Sequence, residues 1–168
     1  MKKIFSVLII ALLLGLFIAN LGYGEGARSV TDALDREVSL SKNPERIVTT
    51  IASTTEIALD LGLDERLVGV PESIKHLSYV PELQEKAEKK RKIGGFNLSM
   101  EKIVDLEPNL VIVGGWAQRD DISKLEELGL TVYAAGSQNI NQVKKSVFDI
   151  GYLTRTLDRA KEVVGDMV

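Results

Sequence analysis

Four short apolar runs, 47–51 (IVTTI), 67–70 (LVGV), 110–113 (LVIV) and 131–134 (TVYA), alternate with stretches whose apolar residues recur at helical spacing. β-Branched residues crowd the runs, as strands favour. LVIV has no polar position at all, so a strand built from it must be buried on both faces. Strands alternating with helices form parallel βαβ units, and the fold class expected is α/β: an open, mostly parallel sheet with flanking helices.

The punctuation between the runs agrees with this. A helix over 54–61 meets Gly62, and one over 120–128 meets Gly129, glycine being the usual residue just past a helix end. Ser99 is placed to cap a helix over 100–106 that stops ahead of Pro108. Segment 81–90 reads as an exposed helix, and 30–40 as a small hairpin around Asp35-Arg36. Ser53 and Glu56 stand at the spacing of a capping box, which predicts that the Ser53 side chain caps the helix following 47–51. From Asn141 onward, Val143, Val147, Ile150, Leu157, Ala160 and Val164 predict one continuous amphipathic helix over 141–168, about 40 Å long. Such a helix would overhang a lobe of this size, and no cap signal follows Met167, so a connector to something further is expected.

Other features bound location and chemistry. Met1-Lys2-Lys3 followed by the apolar run 4–19 reads as a secretory signal occupying 1–24, cut before Glu25, or as an uncleaved anchor. There is no cysteine, so the core rather than disulfides must hold the fold, and a lipid-modified cysteine is excluded. The net charge of −3 leaves no electrostatic footprint for nucleic acid, and the basic cluster at 88–92 shares its helix with Glu82 and Glu85. No G-x-S-x-G elbow or nucleotide-binding glycine pattern is present, and a lone histidine, His76, cannot build a zinc site. Catalysis has no visible apparatus, and no cofactor or resident metal is expected.

The segments VTDALDREVSL, PERIVTTIASTTEIALDLGLDERLVGV, KIGGFNLSMEKIVDLEPNLVIVGG and LEELGLTVY, followed by the long helical pattern, occur in this order. Together they resemble the N-terminal lobe of periplasmic binding proteins of the iron-siderophore, haem and cobalamin type. The resemblance implies two α/β lobes joined by a long helix, with ligand in the cleft between them and docking on an ABC permease in the inner membrane. Here it implies a lobe over 25–140 and the start of the interlobe helix over 141–168, the second lobe being absent from this sequence. The ligand implied is a small-molecule metal chelate, a ferric siderophore first, with haem or cobalamin as alternatives; any metal would arrive inside the chelate. A truncated or membrane-tethered interaction lobe without ligand capture is the competing reading.

The resemblance also assigns residues. Ala52, Ser53 and Thr54 lie beyond the carboxyl end of a strand, where open α/β sheets hold ligands. Gly95, Phe96 and Asn97 form a second loop turned toward ligand, with Phe96 readable as a core anchor instead, and Ser73 lies in a third, near Tyr79. Trp116, the only tryptophan, follows two glycines; it faces the cleft or packs on the lobe. Arg119 either pairs with an anionic chelate or is an ordinary surface arginine. Glu101, in the first turn of a helix, would dock on the permease; the helix dipole alone also favours a carboxylate there.

Overall fold

A computed structural model of the chain describes residues 26–77, 81–95 and 97–167. The expected signal at 1–24, Tyr79 and Phe96 fall outside these residues, as does the side chain of His76.

A hairpin of β1 (Arg28–Thr31) and β2 (Glu37–Leu40) precedes a five-stranded sheet. That sheet contains β3 (Ile47–Thr49), β4 (Leu67–Val70), β5 (Arg91–Lys92), β6 (Leu110–Gly114) and β7 (Val132–Ala135), in the order β5-β4-β3-β6-β7. Every pairing within it is parallel, as the alternation of runs and helices predicts. The continuous apolar run of β6 serves both faces. Leu110 and Ile112 point into one core with Ile47 and Tyr133, and Val111 and Val113 into another with Val48 and Val132.

Helices α1 (Ala52–Asp60), α2 (Pro81–Glu88), α5 (Ile140–Thr154) and α6 (Leu157–Gly165) cover the first core. The second is covered by α3 (Met100–Val104) and α4 (Arg119–Glu127). This division follows from right-handed crossovers. The chain steps outward from β3 to β4 and β5 with helices on one face, then reverses through β6 and β7 with helices on the other. The reversal lies between β3 and β6.

The edge of β7 is closed by the hairpin turn. Ala33 donates its amide to the Ala134 carbonyl at 3.0 Å, and the Ala134 amide donates to Asp32 Oδ2 at 3.2 Å. Asp32, 3 % exposed, also accepts from the amides of Leu34 and Arg36 and from the Arg36 guanidinium, which reaches on to Glu126. A strand edge that would otherwise present unpaired backbone is satisfied by one carboxylate and one turn.

Two expectations fail. The first is the single helix over 141–168, which is two. α5 ends at Arg155, in left-handed conformation with φ 62°, and the guanidinium groups of Arg28 and Arg66 cap the carbonyls of Leu153 and Thr154 at 3.1 and 2.9 Å. The apolar spacing runs on across the break because α6 folds back against α5 and buries Ala160 in the same core. Contact between the two is close at Gly151, where an added Cβ would stand 2.6 Å from the Ala160 Cβ. Gly151→Ala improves helix propensity by about 1 kcal/mol but forces this contact apart at about 1–3 kcal/mol. The expected net result is a lower midpoint in denaturant; an unchanged or raised midpoint would show that the two helices separate freely.

The second is the capping box. α1 begins at Ala52 with Ile51 as its N-cap, φ −134° and ψ 158°, and no side chain caps it. Ser53 lies inside the first turn with its side chain exposed. Thr54 and Thr55 donate their hydroxyls back to the Ile51 carbonyl at 3.0 and 3.1 Å, and Thr55 pairs with Thr49 at 2.8 Å. These bonds tie the first turn to β3 and start the helix ahead of Ser53. By contrast, Ser99 does cap α3, accepting from the Lys102 amide at 3.4 Å, and Gly62 and Gly129 take positive φ as terminators.

Candidate functional site at the carboxyl edge of the sheet

All five parallel strands end on the same edge, so the segments after β3, β4, β5, β6 and β7 gather there. Between β3 and β6, where the crossovers reverse, adjacent loops leave toward opposite faces and a crevice opens. A depression of about 200 Å³ occupies this place, lined by Thr50, Ile51, Ser73, Gly95, Ala117 and Gln118. Ser73 reaches it from a 3-10 turn over Glu72–Leu77, and Gly95 from the segment after β5. That segment is held in shape by Gly94 at φ +116°, where a Cβ would meet the Asn97 carbonyl at 2.6 Å.

The expected residues divide. Ser53 and Thr54 line a second depression of about 190 Å³, with Glu56, Asp60, Gly136 and Met167, and Ile51 forms the ridge between the two. Ala52 packs against the first core. Asn97 is exposed beside Gly95, and Glu101 is exposed in the first turn of α3. Trp116 is 52 % exposed, and the Arg119 guanidinium sits over its ring, 5.2 Å from the centroid. This stacking keeps the cation at the edge and leaves the outer ring face open.

Sequence reasoning missed Gln118 and Thr50. Gln118 is 7 % exposed, and its Oε1 accepts from the Gly114 amide at 3.2 Å and from the Thr50 hydroxyl. The bond locks the β6 loop to the β3 loop across the crevice. Its only sequence signal is a polar residue four positions beyond the end of an all-apolar strand.

A larger groove of about 630 Å³, lined by Lys42, Asn43, Arg46, Asn109 and neighbours, lies at the opposite edge, where the strands begin. Size argues for it, but topology argues for the carboxyl edge, where residues from four separate loops line one crevice. Among the described residues no group of three or more His, Cys, Asp or Glu side chains is placed to hold a metal ion.

Burial holds the Glu56 carboxyl above its ordinary value of 4.5, with the nearby Asp60 adding to the effect. Burial also raises Asp60, against the pull of Arg159. Below pH 4.5 Glu56 carries its proton whether the chain is folded or not, so folding has no charge to bury. As pH rises through the raised folded value that stability is lost. Glu56→Gln is therefore expected to raise the melting temperature at neutral pH, and the gain should vanish in acid. A gain of equal size at both would contradict the assignment.

A comparison with protein families matches residues 47–168 to the family described as periplasmic binding protein. The chain belongs to the periplasmic binding protein family. The family is one of non-enzymatic transport components. Among curated proteins, this family member is 30 % identical over 143 residues to an uncharacterized ABC transporter substrate-binding lipoprotein of Bacillus subtilis, covering 83 % of this chain and 43 % of that protein. It is 32 % identical over 114 residues to the vitamin B12-binding protein of Vibrio vulnificus, covering 66 % and 39 % respectively. The chain thus spans about two fifths of the length of these relatives. Among solved structures, the petrobactin-binding protein of Bacillus subtilis superposes with a TM-score of 0.71 at 20 % identity over 85 % of this chain and 50 % of that one, a likeness of fold. The vitamin B12-binding protein of Vibrio cholerae gives 0.60 at 25 % identity over 73 % and 46 %.

Proposed function

We propose that this chain forms one wall of the ligand cleft in the substrate-binding component of an ABC importer, outside the cytoplasmic membrane, and that it captures a chelated metal compound. The observation that carries the reading is the crevice between the β3 and β6 loops, with a half-exposed tryptophan beside it. An indole with one face open suits a broad, flat chelate, and the Arg119 cation beside it suits one with anionic groups. The lobe starts at 25 and takes in the two helices over 140–165, whose apolar faces complete its first core; a second lobe supplies the other wall of the cleft, and 1–24 direct export. Ser73, Gly95 and Asn97 contribute ligand contacts at the crevice, with Phe96 in the same loop and Ala52, Ser53 and Thr54 beside it. Glu101, exposed in the first turn of α3, is the docking point for the permease.

The family resemblance puts a ferric siderophore first; the relatives named for vitamin B12 make that compound the first probe to try. Trp116 is the only indole in the chain and reports on its own site. Titration with vitamin B12, ferric siderophores and haem, followed by its fluorescence and by calorimetry, is expected to show saturable binding of one of them. Failure of all three would overturn capture by this chain and favour the reading of an interaction lobe.

A further inference from the structure

The crevice between the β3 and β6 loops holds one polar group whose orientation is fixed. A backbone N–H only donates, so the bond from the Gly114 amide identifies the Gln118 atom that receives it as the carbonyl oxygen. The Thr50 hydroxyl bonds to the same oxygen, and turning the side-chain amide over would set Nε2 against the Gly114 N–H, which can only donate. Gln118 Nε2 donates to none of the described residues. No sealed polar side-chain atom among them lacks a partner, so Nε2 keeps some access to solvent, and the accessible space that Gln118 lines is this depression.

We infer that Gln118 is a specificity-determining residue, donating from Nε2 to a neutral carbonyl or carboxamide oxygen that the ligand inserts into this depression. The inference rests on the cleft reading above and names the chemistry that one part of the cleft selects. A space of about 200 Å³ admits a side group, while the body of a chelate stays outside against Trp116. No acidic side chain lines the depression, which suits an acceptor oxygen. At its rim, however, Glu72 Oε2 lies 3.5 Å from where a Cβ on Gly95 would be, so a carboxylate entering past it meets like charge. Arg119 is stacked on Trp116 and does not line the space. A neutral oxygen is therefore favoured over an ionised one.

The test separates this subsite from the transport reading. The side-chain amide cross-peaks of Gln118, assigned by their loss in Gln118→Glu, are followed by NMR while acetamide, acetate or methylammonium is added to the ¹⁵N-labelled chain. The expected result is that acetamide moves the pair at lower concentration than acetate and that methylammonium does not move it. Immobility in acetamide, or equal movement by methylammonium, would overturn the inference, and preference for acetate would overturn the ligand class. Vitamin B12 supplies the whole-ligand arm. The carboxylate placed by Gln118→Glu still accepts from Gly114 and Thr50 but offers no donor, so binding, measured well below the variant's own melting temperature because the buried charge lowers it, should weaken about tenfold. Unchanged affinity there would also overturn the inference. Acetamide moving the pair in a chain that binds no chelate would uphold the subsite and defeat the transport reading.

Discussion

Asp32→Ala is expected to lower stability by about 3–5 kcal/mol, the cost of breaking a buried ion pair from one side. The carboxylate receives three backbone amides, those of Leu34, Arg36 and Ala134, as well as the Arg36 guanidinium. Removing it leaves these donors without their acceptor at the edge of β7, and the Arg36 charge keeps only Glu126 and the Val132 carbonyl. Domains of this size have about 5–15 kcal/mol in hand, so a fall in melting temperature of roughly 10 °C or more should follow. Asp32→Asn keeps one acceptor oxygen and should fall between. A change of only a degree or two in Asp32→Ala would show that the hairpin does not secure the sheet edge.

The hairpin itself is visible in the alternation of 30–40, but this role for its aspartate is not. Polar residues in turns are common, and only the path of β7 brings Ala134 beneath Asp32, 102 residues away in sequence. The sheet was more legible. LVIV has to be buried on both faces whatever surrounds it, and Gly62 and Gly129 mark helix ends by backbone geometry that needs no tertiary context. At the start of the first helix two local patterns competed, and after Asn141 tertiary packing overrode the local reading. Ser53 had the spacing of a cap, yet the threonine hydroxyls bound to Ile51 and Thr49 began the helix earlier. The pattern after Asn141 kept its period across a break because both helices bury their apolar faces in one core. At the site, Trp116 stood out as a lone indole after two glycines, whereas Gln118 acquires meaning only through the loop it grips.

Trp116→Ala is expected to weaken chelate binding about thirtyfold to a hundredfold. The half-exposed ring offers on the order of 100 Å² for a ligand to cover, about 2–3 kcal/mol at the usual value per area. Truncation also removes the covered half of the ring and its contact with Arg119, so the melting temperature should fall by several degrees, and binding is compared well below the variant's own midpoint. Trp116→Phe should keep most of the affinity. An alanine variant that binds as well as the parent would place the ligand elsewhere.

The central claim is that ligand lies across the carboxyl edge where β3 and β6 diverge. Backbone amide shifts on addition of vitamin B12, or of whichever chelate the titration selects, test it most directly. The account predicts that the largest changes fall at Thr50, Ile51, Gly95, Ala117 and Gln118, with Lys42, Arg46 and Asn109 unmoved. Changes gathered around those last three, in the wider groove where the strands begin, would contradict it.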